Sequence, residues 1–104
     1  MASSTLLVTV FAFTWHLFSA AHPECVKPAL PELRYADLQS IQSNERGYFL
    51  HNTNYVTLDN HLKDRPAEGA YLAHEVTHFM QDQCKLPRLE SEAYDMQYAY
   101  DDAN

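Results

Sequence analysis

The hydrophobic pattern along the chain changes character three times. Residues 1–21 are apolar without a period: Leu6-Leu7-Val8-Thr9-Val10-Phe11-Ala12-Phe13 continues through Trp15, Leu17 and Phe18, uninterrupted by Asp, Glu, Lys or Arg. The run is short for a membrane span and is broken by Thr14 and His16, while Ser19-Ala20-Ala21 places small residues where a signal peptidase cuts. It predicts a signal peptide over residues 1–21, cleaved after Ala21, and a mature chain of one small domain over residues 22–104.

In the next stretch Pro28 and Pro31 deny the backbone a helix. Leu33, Ala36, Leu38 and Ile41 then give a partial stripe that predicts a helix over Glu32 to Ile41. Asn44-Glu45-Arg46-Gly47 reads as a turn. Tyr48-Phe49-Leu50 and Tyr55-Val56-Thr57-Leu58 are β-prone runs separated by turn formers at His51-Asn52-Thr53-Asn54, which predicts a hairpin. The loop from Asp59 leads to Pro66, a residue tolerated in a first helical turn, and its His61 is expected to be solvated.

From there the period becomes helical. Leu72, Ala73, Val76, Phe79 and Met80 form apolar stripes in a run ending near Gln83-Cys84-Lys85, and Gly69 weakens its first turns by about 1 kcal/mol relative to Ala. After Leu86-Pro87 a second helix is predicted over about Arg88 to Ala99, antiparallel to the first, with Leu89, Ala93, Met96 and Tyr100 on one stripe and Glu90, Tyr94 and Gln97 on its neighbour. The fold class is therefore α+β: a short β-hairpin or small sheet packed on two antiparallel helices.

So small a domain buries a modest share of its surface and benefits from a staple. Cys25 and Cys84, the two cysteines of the chain, are expected to form one, since export puts them in an oxidising compartment. A bridge across so long a loop contributes on the order of 4 kcal/mol in the chain-entropy treatment. The net charge of -7, from 14 acidic and 7 basic residues, excludes nucleic acid and stable association with anionic membranes as partners, and weakly favours a cationic peptide.

The candidate chemistry lies in the first of the two helices, at His74-Glu75-Val76-Thr77-His78. Residues four apart share a helical face, so the two imidazoles can converge on one cation, most suitably zinc. Glu75 is offset by one position. It flanks the ion and can act as general base on a water whose pKa zinc lowers toward neutrality. The third ligand of such a site is expected from the second helix, as Glu90 or Glu92; they point about 160° apart, so one of them faces the histidines.

His74-Glu75-Val76-Thr77-His78 followed by Glu90-Ser91-Glu92-Ala93-Tyr94 resembles the H-E-x-x-H plus E-x-x-A-D pattern of gluzincin metallopeptidases, and most closely small secreted bacterial zincin-like proteins. In those the first helix continues as H-x-x-Q, here His78-Phe79-Met80-Gln81, and the second reads E-x-x-A-Y-x-x-Q-x-x-Y, matched by Glu90, Ala93, Tyr94, Gln97 and Tyr100. The resemblance implies a minimal zincin-like domain in which His74, His78 and Glu90 bind zinc and Glu75 activates water. It further implies an edge strand, here Tyr55 to Leu58, that receives an extended peptide by strand addition. Where larger gluzincins place Asp or Asn to orient a histidine ligand, this chain has Tyr94, with Asp95 displaced by one. Tyr94 and Tyr98 are the candidates for stabilising an oxyanion. The function implied is a secreted or periplasmic zinc metallopeptidase acting on a peptide or protein. Its alternative is a non-catalytic, zinc-stabilised binding module acting on a partner protein.

Overall fold

The computed structural model describes residues 2–39 and 45–104. The described residues form a small α+β fold of three α-helices and a three-stranded mixed sheet: α1 (Ala2–Ala21), β1 (Glu32–Ala36), β2 (Gly47–Tyr48), β3 (Tyr55–Asp59), a 3-10 turn (Asn60–Leu62), α2 (Glu68–Gln83) and α3 (Glu90–Ala103). The sheet order is β1-β3-β2, with β1 parallel and β2 antiparallel to β3.

The predicted helix over Glu32 to Ile41 is corrected to strand β1; Ile41 itself lies outside the described residues. Its residues alternate with period two: Leu33 and Tyr35 pack against the core while Glu32 and Arg34 face outward. Pairing with β3, from Glu32 opposite Tyr55 to Ala36 opposite Asp59, overrides the weak helical stripe. Arg34 closes the outer face by stacking its guanidinium 3.7 Å from the Tyr55 ring centroid.

The hairpin is present, though shorter than expected. Gly47 pairs with Leu58 and Tyr48 with Thr57, and Phe49 and Leu50 belong to the connecting loop rather than to the strand. One consequence corrects the predicted role of Tyr55 to Leu58. Flanked by β1 along its length and by β2 at Thr57 and Leu58, β3 is the central strand rather than an edge. The edge strand next to α2 on the candidate site is β2.

The core lies where α2 meets the sheet on one side and α1 and α3 on the others. Leu72, Ala73, Val76, Phe79 and Met80 are all buried, as their spacing predicts, together with Val56 and Leu58 of β3. Residues 2–21, read as a leader, form a helix whose Leu7, Val10, Phe11, Thr14 and Phe18 are buried in this assembly. The Thr14 hydroxyl is buried there with no hydrogen-bond partner among the described residues. Among the described residues no helix is long and apolar enough to cross a membrane. Just beyond α1, Cys25 and Cys84 are joined, as expected, with Cα atoms 5.6 Å apart.

α2 begins at Glu68, whose buried carboxylate takes the Asp64 N–H at 3.0 Å and the Tyr35 hydroxyl, anchoring the helix start to β1 and the preceding loop. It ends with Lys85 in a left-handed conformation (φ 57°) and the Leu86 N–H returning to the Gln81 carbonyl at 2.8 Å. This closure reverses the chain into α3. Gly69 meets Tyr100 and Gln81 meets Leu89 and Glu92, so the two helices are antiparallel.

Gly69 has a packing reason for its place in a helix. A Cβ built there lies 2.4 Å from Cε1 of the buried Tyr100 ring. Gly69→Ala is therefore expected to lower stability by about 1–3 kcal/mol through overpacking, despite the helix propensity gained. Thermal unfolding of the variant, with Ala99→Gly as a control for propensity alone, checks this; a rise in Tm in Gly69→Ala contradicts it.

Candidate metal centre

His74 and His78 sit one turn apart on α2, with ring centroids 5.0 Å apart, and Glu90 in the first turn of α3 reaches both. Oε1 of Glu90 lies 3.0 Å from Nε2 of His74 and 2.9 Å from Nε2 of His78. The sequence left Glu90 and Glu92 open on spacing, and the structure places Glu90 with the histidines. Glu92 lies one helical face away, yet it is not simply solvated. It accepts from Gln81 at 2.8 Å and pairs with His22 at 2.7 Å.

The tautomers follow from the side chains behind the imidazoles. Nε2 of Gln81 donates to the Leu89 carbonyl at 3.1 Å and to Glu92 at 2.8 Å, which fixes the amide so that its oxygen faces Nδ1 of His78 at 2.9 Å. A carbonyl oxygen only accepts. Nδ1 of His78 therefore carries the proton and Nε2 the lone pair. Gln97 on α3 holds His74 in the same manner, oxygen to Nδ1 at 3.0 Å. Burial, followed by the neighbouring His78, lowers the pKa of His74 and favours its neutral ring.

Two imidazole lone pairs and a carboxylate oxygen thus converge. Three acceptors in mutual contact repel one another unless a cation sits among them. The ligand atoms lie within 4.8 Å of one another, and the two measured separations approach the ~3.3 Å that tetrahedral bonds of about 2.0–2.1 Å imply. Among the described residues no fourth His, Cys, Asp or Glu joins the group. The set can bind a metal ion.

Glu75 is buried beside this group and forms, with His74, Glu90, Tyr94 and Gln97, part of the wall of a cavity of about 480 Å³. Burial pushes its carboxyl up to about 8; Arg88 opposes the shift, whereas Glu90 and Glu45 add to it. The sheet reaches the site through Gly47. A Cβ there would lie 2.8 Å from Cδ2 of Leu58, 2.8 Å from the Thr57 carbonyl and 3.1 Å from Cγ of Glu75, so glycine lets β2 close over the glutamate.

Of the two tyrosines proposed as oxyanion donors, Tyr94 lines the cavity, its ring meeting His74 edge to face at 4.6 Å. Tyr98 stacks on Tyr94 from outside, is largely exposed and is not in the cavity wall. Asp95 is exposed and orients neither histidine. That role falls to Gln81 and Gln97, which pattern reasoning quoted but did not assign. The signal was present: Gln81 is three residues beyond His78, and Gln97 is seven beyond Glu90, on the ligand-bearing faces. His61, expected in solvent, is half-exposed and donates from Nδ1 to buried Asp59 at 3.0 Å.

The chain matches no protein family, no curated protein and no solved structure.

Gln81→Leu and Gln97→Leu keep side-chain volume and remove the imidazole orienters, so each should weaken metal binding about 10–100-fold. Competition with a chromophoric chelator measures it, and unchanged affinity in both contradicts the assignment. Glu75 gives a pH signature in the metal-free protein. Between its ordinary 4.5 and about 8 the unfolded chain releases a proton that the folded chain keeps. Stability contributed at this position therefore falls as pH rises across that window. Urea unfolding from pH 5 to 8.5 should show a shallower decline for Glu75→Gln than for the wild type.

Proposed function

We propose that the protein is an exported zinc metallopeptidase of the gluzincin type, in which His74, His78 and Glu90 hold the ion and Glu75 is the general base. The observation that carries the reading is the convergence of Nε2 of both histidines and Oε1 of Glu90, with both Nδ1 atoms already committed to glutamine oxygens. Imidazole and carboxylate donors suit zinc among the first-row divalent ions. A divalent ion held there polarises a peptide carbonyl and makes water a competent nucleophile near neutral pH.

The remaining steps belong to this chain's own groups. Glu75 faces the same cavity as His74 and Glu90. It would take the proton of the attacking water as oxygen adds to the scissile carbonyl carbon, and deliver it to the departing amine as the C–N bond breaks. Its buried position suits a group that must hold a proton for part of the cycle. Tyr94, in the cavity wall beside His74, is placed to donate its hydroxyl to the developing oxyanion. Gly47 and Tyr48 of β2 lie along the same wall, so the strand offered to an extended peptide is β2.

The alternative of a closed structural zinc site calls for four protein ligands, and among the described residues the cluster has three. Export is supported by the apolar first segment and by the Cys25–Cys84 disulfide, which persists in an oxidising compartment. On this reading the exported chain begins at His22. Intact-mass measurement checks that, and a chain beginning at Met1 overturns it.

Two substitutions separate binding from chemistry. Glu90→Ala removes a ligand and is expected to lower both zinc content and the Tm of zinc-loaded protein, because metal binding is coupled to folding. Glu75→Gln keeps the shape but cannot accept a proton, so zinc should stay near one per chain while peptide hydrolysis falls at least 100-fold. Elemental analysis and a fluorogenic peptide assay read the two effects. Equal zinc in wild type and Glu90→Ala, or undiminished hydrolysis in Glu75→Gln, rejects the assignment.

A further inference from the structure

A second cavity, of about 660 Å³, takes His78 as part of its wall, as the first takes His74. Phe49 and Leu86 give it an apolar lining, and Lys85 and Arg88 add two cations. Its acidic residue, Asp82, is already engaged: one oxygen pairs with His51 and the other accepts the Asn52 N–H at 3.0 Å. Lys85 has no carboxylate partner among the described residues. Arg88 belongs to the walls of both cavities. Its Nη1 donates to the Phe49 carbonyl at 2.9 Å, which holds the guanidinium in place, and its Nε stands 3.9 Å from Glu90, outside hydrogen-bond distance. Further donors of the guanidinium fork remain for another acceptor.

An apolar chamber with two cations and an aspartate whose two oxygens are already engaged, opening beside a metal ligand, suits an occupant that is both apolar and anionic. An acidic side chain supplies the charge without filling the chamber. The carboxyl-terminal residue of a peptide supplies both in one unit. From this the geometry points to a carboxypeptidase: the cavity beside His78 receives the last residue of the substrate, its apolar side chain against Phe49 and Leu86 and its free carboxylate on Arg88 and Lys85. The inference rests on the metallopeptidase reading and gives it a substrate class. Water adds across the last peptide bond; the penultimate carbonyl carbon gains the oxygen, and the departing amino acid takes the proton relayed by Glu75, with no change of oxidation state. The rest of the peptide lies toward the first cavity and β2.

Binding and turnover are tested apart. Zinc-loaded full-length Glu75→Gln is titrated calorimetrically with N-acetyl-L-phenylalanine, with its amide, and with N-acetyl-L-aspartic acid α-amide, which carries its carboxylate on the side chain. The first probe is expected to bind at least tenfold more tightly than either of the others, and Lys85→Gln and Arg88→Gln to weaken it about tenfold each. Lys85 is exposed and outside the core, so its variant keeps the test informative if Arg88→Gln fails to fold. Equal binding of acid and amide overturns the proposal. So does tighter binding of the aspartate probe, or acid binding indifferent to Lys85→Gln, which would put the carboxylate on the ion. The wild-type zinc protein is then given one peptide ending in phenylalanine, as the free acid and as the amide. Release of phenylalanine from the acid alone supports the proposal, and equal cleavage of both leaves a metallopeptidase but removes the carboxypeptidase. Probe binding as expected with neither peptide cleaved rejects the peptidase reading itself and keeps the carboxylate-binding cavity.

Discussion

Two buried imidazoles and one carboxylate meet through atoms that can only accept hydrogen bonds, and the surrounding structure is arranged so that neither imidazole can turn away. His78 is held from behind by Gln81, whose amide is itself held by Leu89 and Glu92. His74 is held by Gln97. Lone pairs packed at about 3 Å from an anionic oxygen cost free energy that a cation between them returns, so the arrangement links ion binding to the association of α2 with α3. The left-handed Lys85, the Leu86 closure and the short connection to Glu90 all serve that association. The disulfide, spanning a sequence separation of 59, acts elsewhere: it ties the segment after α1 to the end of α2 whether or not an ion is bound.

The sheet contributes by shaping the surroundings of Glu75. Because β3 is central, the short strand β2 forms the wall over the glutamate, and Gly47 is the residue that permits the approach. That closeness explains the burial of Glu75 and hence its raised pKa. Arg88 is the counterweight, favouring the ionised form, while its own position is fixed by the Phe49 carbonyl in the loop after β2. Strand, loop and connection between the helices therefore bear on one carboxylate.

What the sequence disclosed and what it concealed divide by range. Helical spacing and the His74-Glu75-Val76-Thr77-His78 run locate α2, its buried face and both imidazoles, because residues four apart are neighbours in any helix. The choice between Glu90 and Glu92 needed the rotation of α3 about its axis, which is a tertiary quantity. β1 was missed for a related reason: Leu33, Ala36 and Leu38 suit a weak helical stripe as well as a strand, and a parallel partner more than 20 residues away decided between them. The same partner turned β3 from the expected edge into the centre. In residues 1–21 the pattern read as a leader also forms a helix with one face buried, and apolarity alone does not distinguish the two fates. Thr14 bears on the question, since a docked α1 buries its hydroxyl unpaired whereas a transient leader leaves it solvated.

Amide rather than carboxylate partners behind the two imidazoles have a consequence for the charge of the centre. A carboxylate behind an imidazole draws its Nδ1 proton and makes Nε2 more basic; a glutamine oxygen orients the ring with less of that effect. With Gln81 and Gln97 in these places, Glu90 is the one anionic ligand, and a divalent ion leaves the centre with a net positive charge. Such a charge beside buried Glu75 favours its ionised form, the form a general base requires, and offsets the burial that otherwise keeps it protonated. Metal binding and ionisation of Glu75 are then linked in both directions: loading the ion favours the ionised carboxylate, and the ionised carboxylate strengthens the hold on the ion.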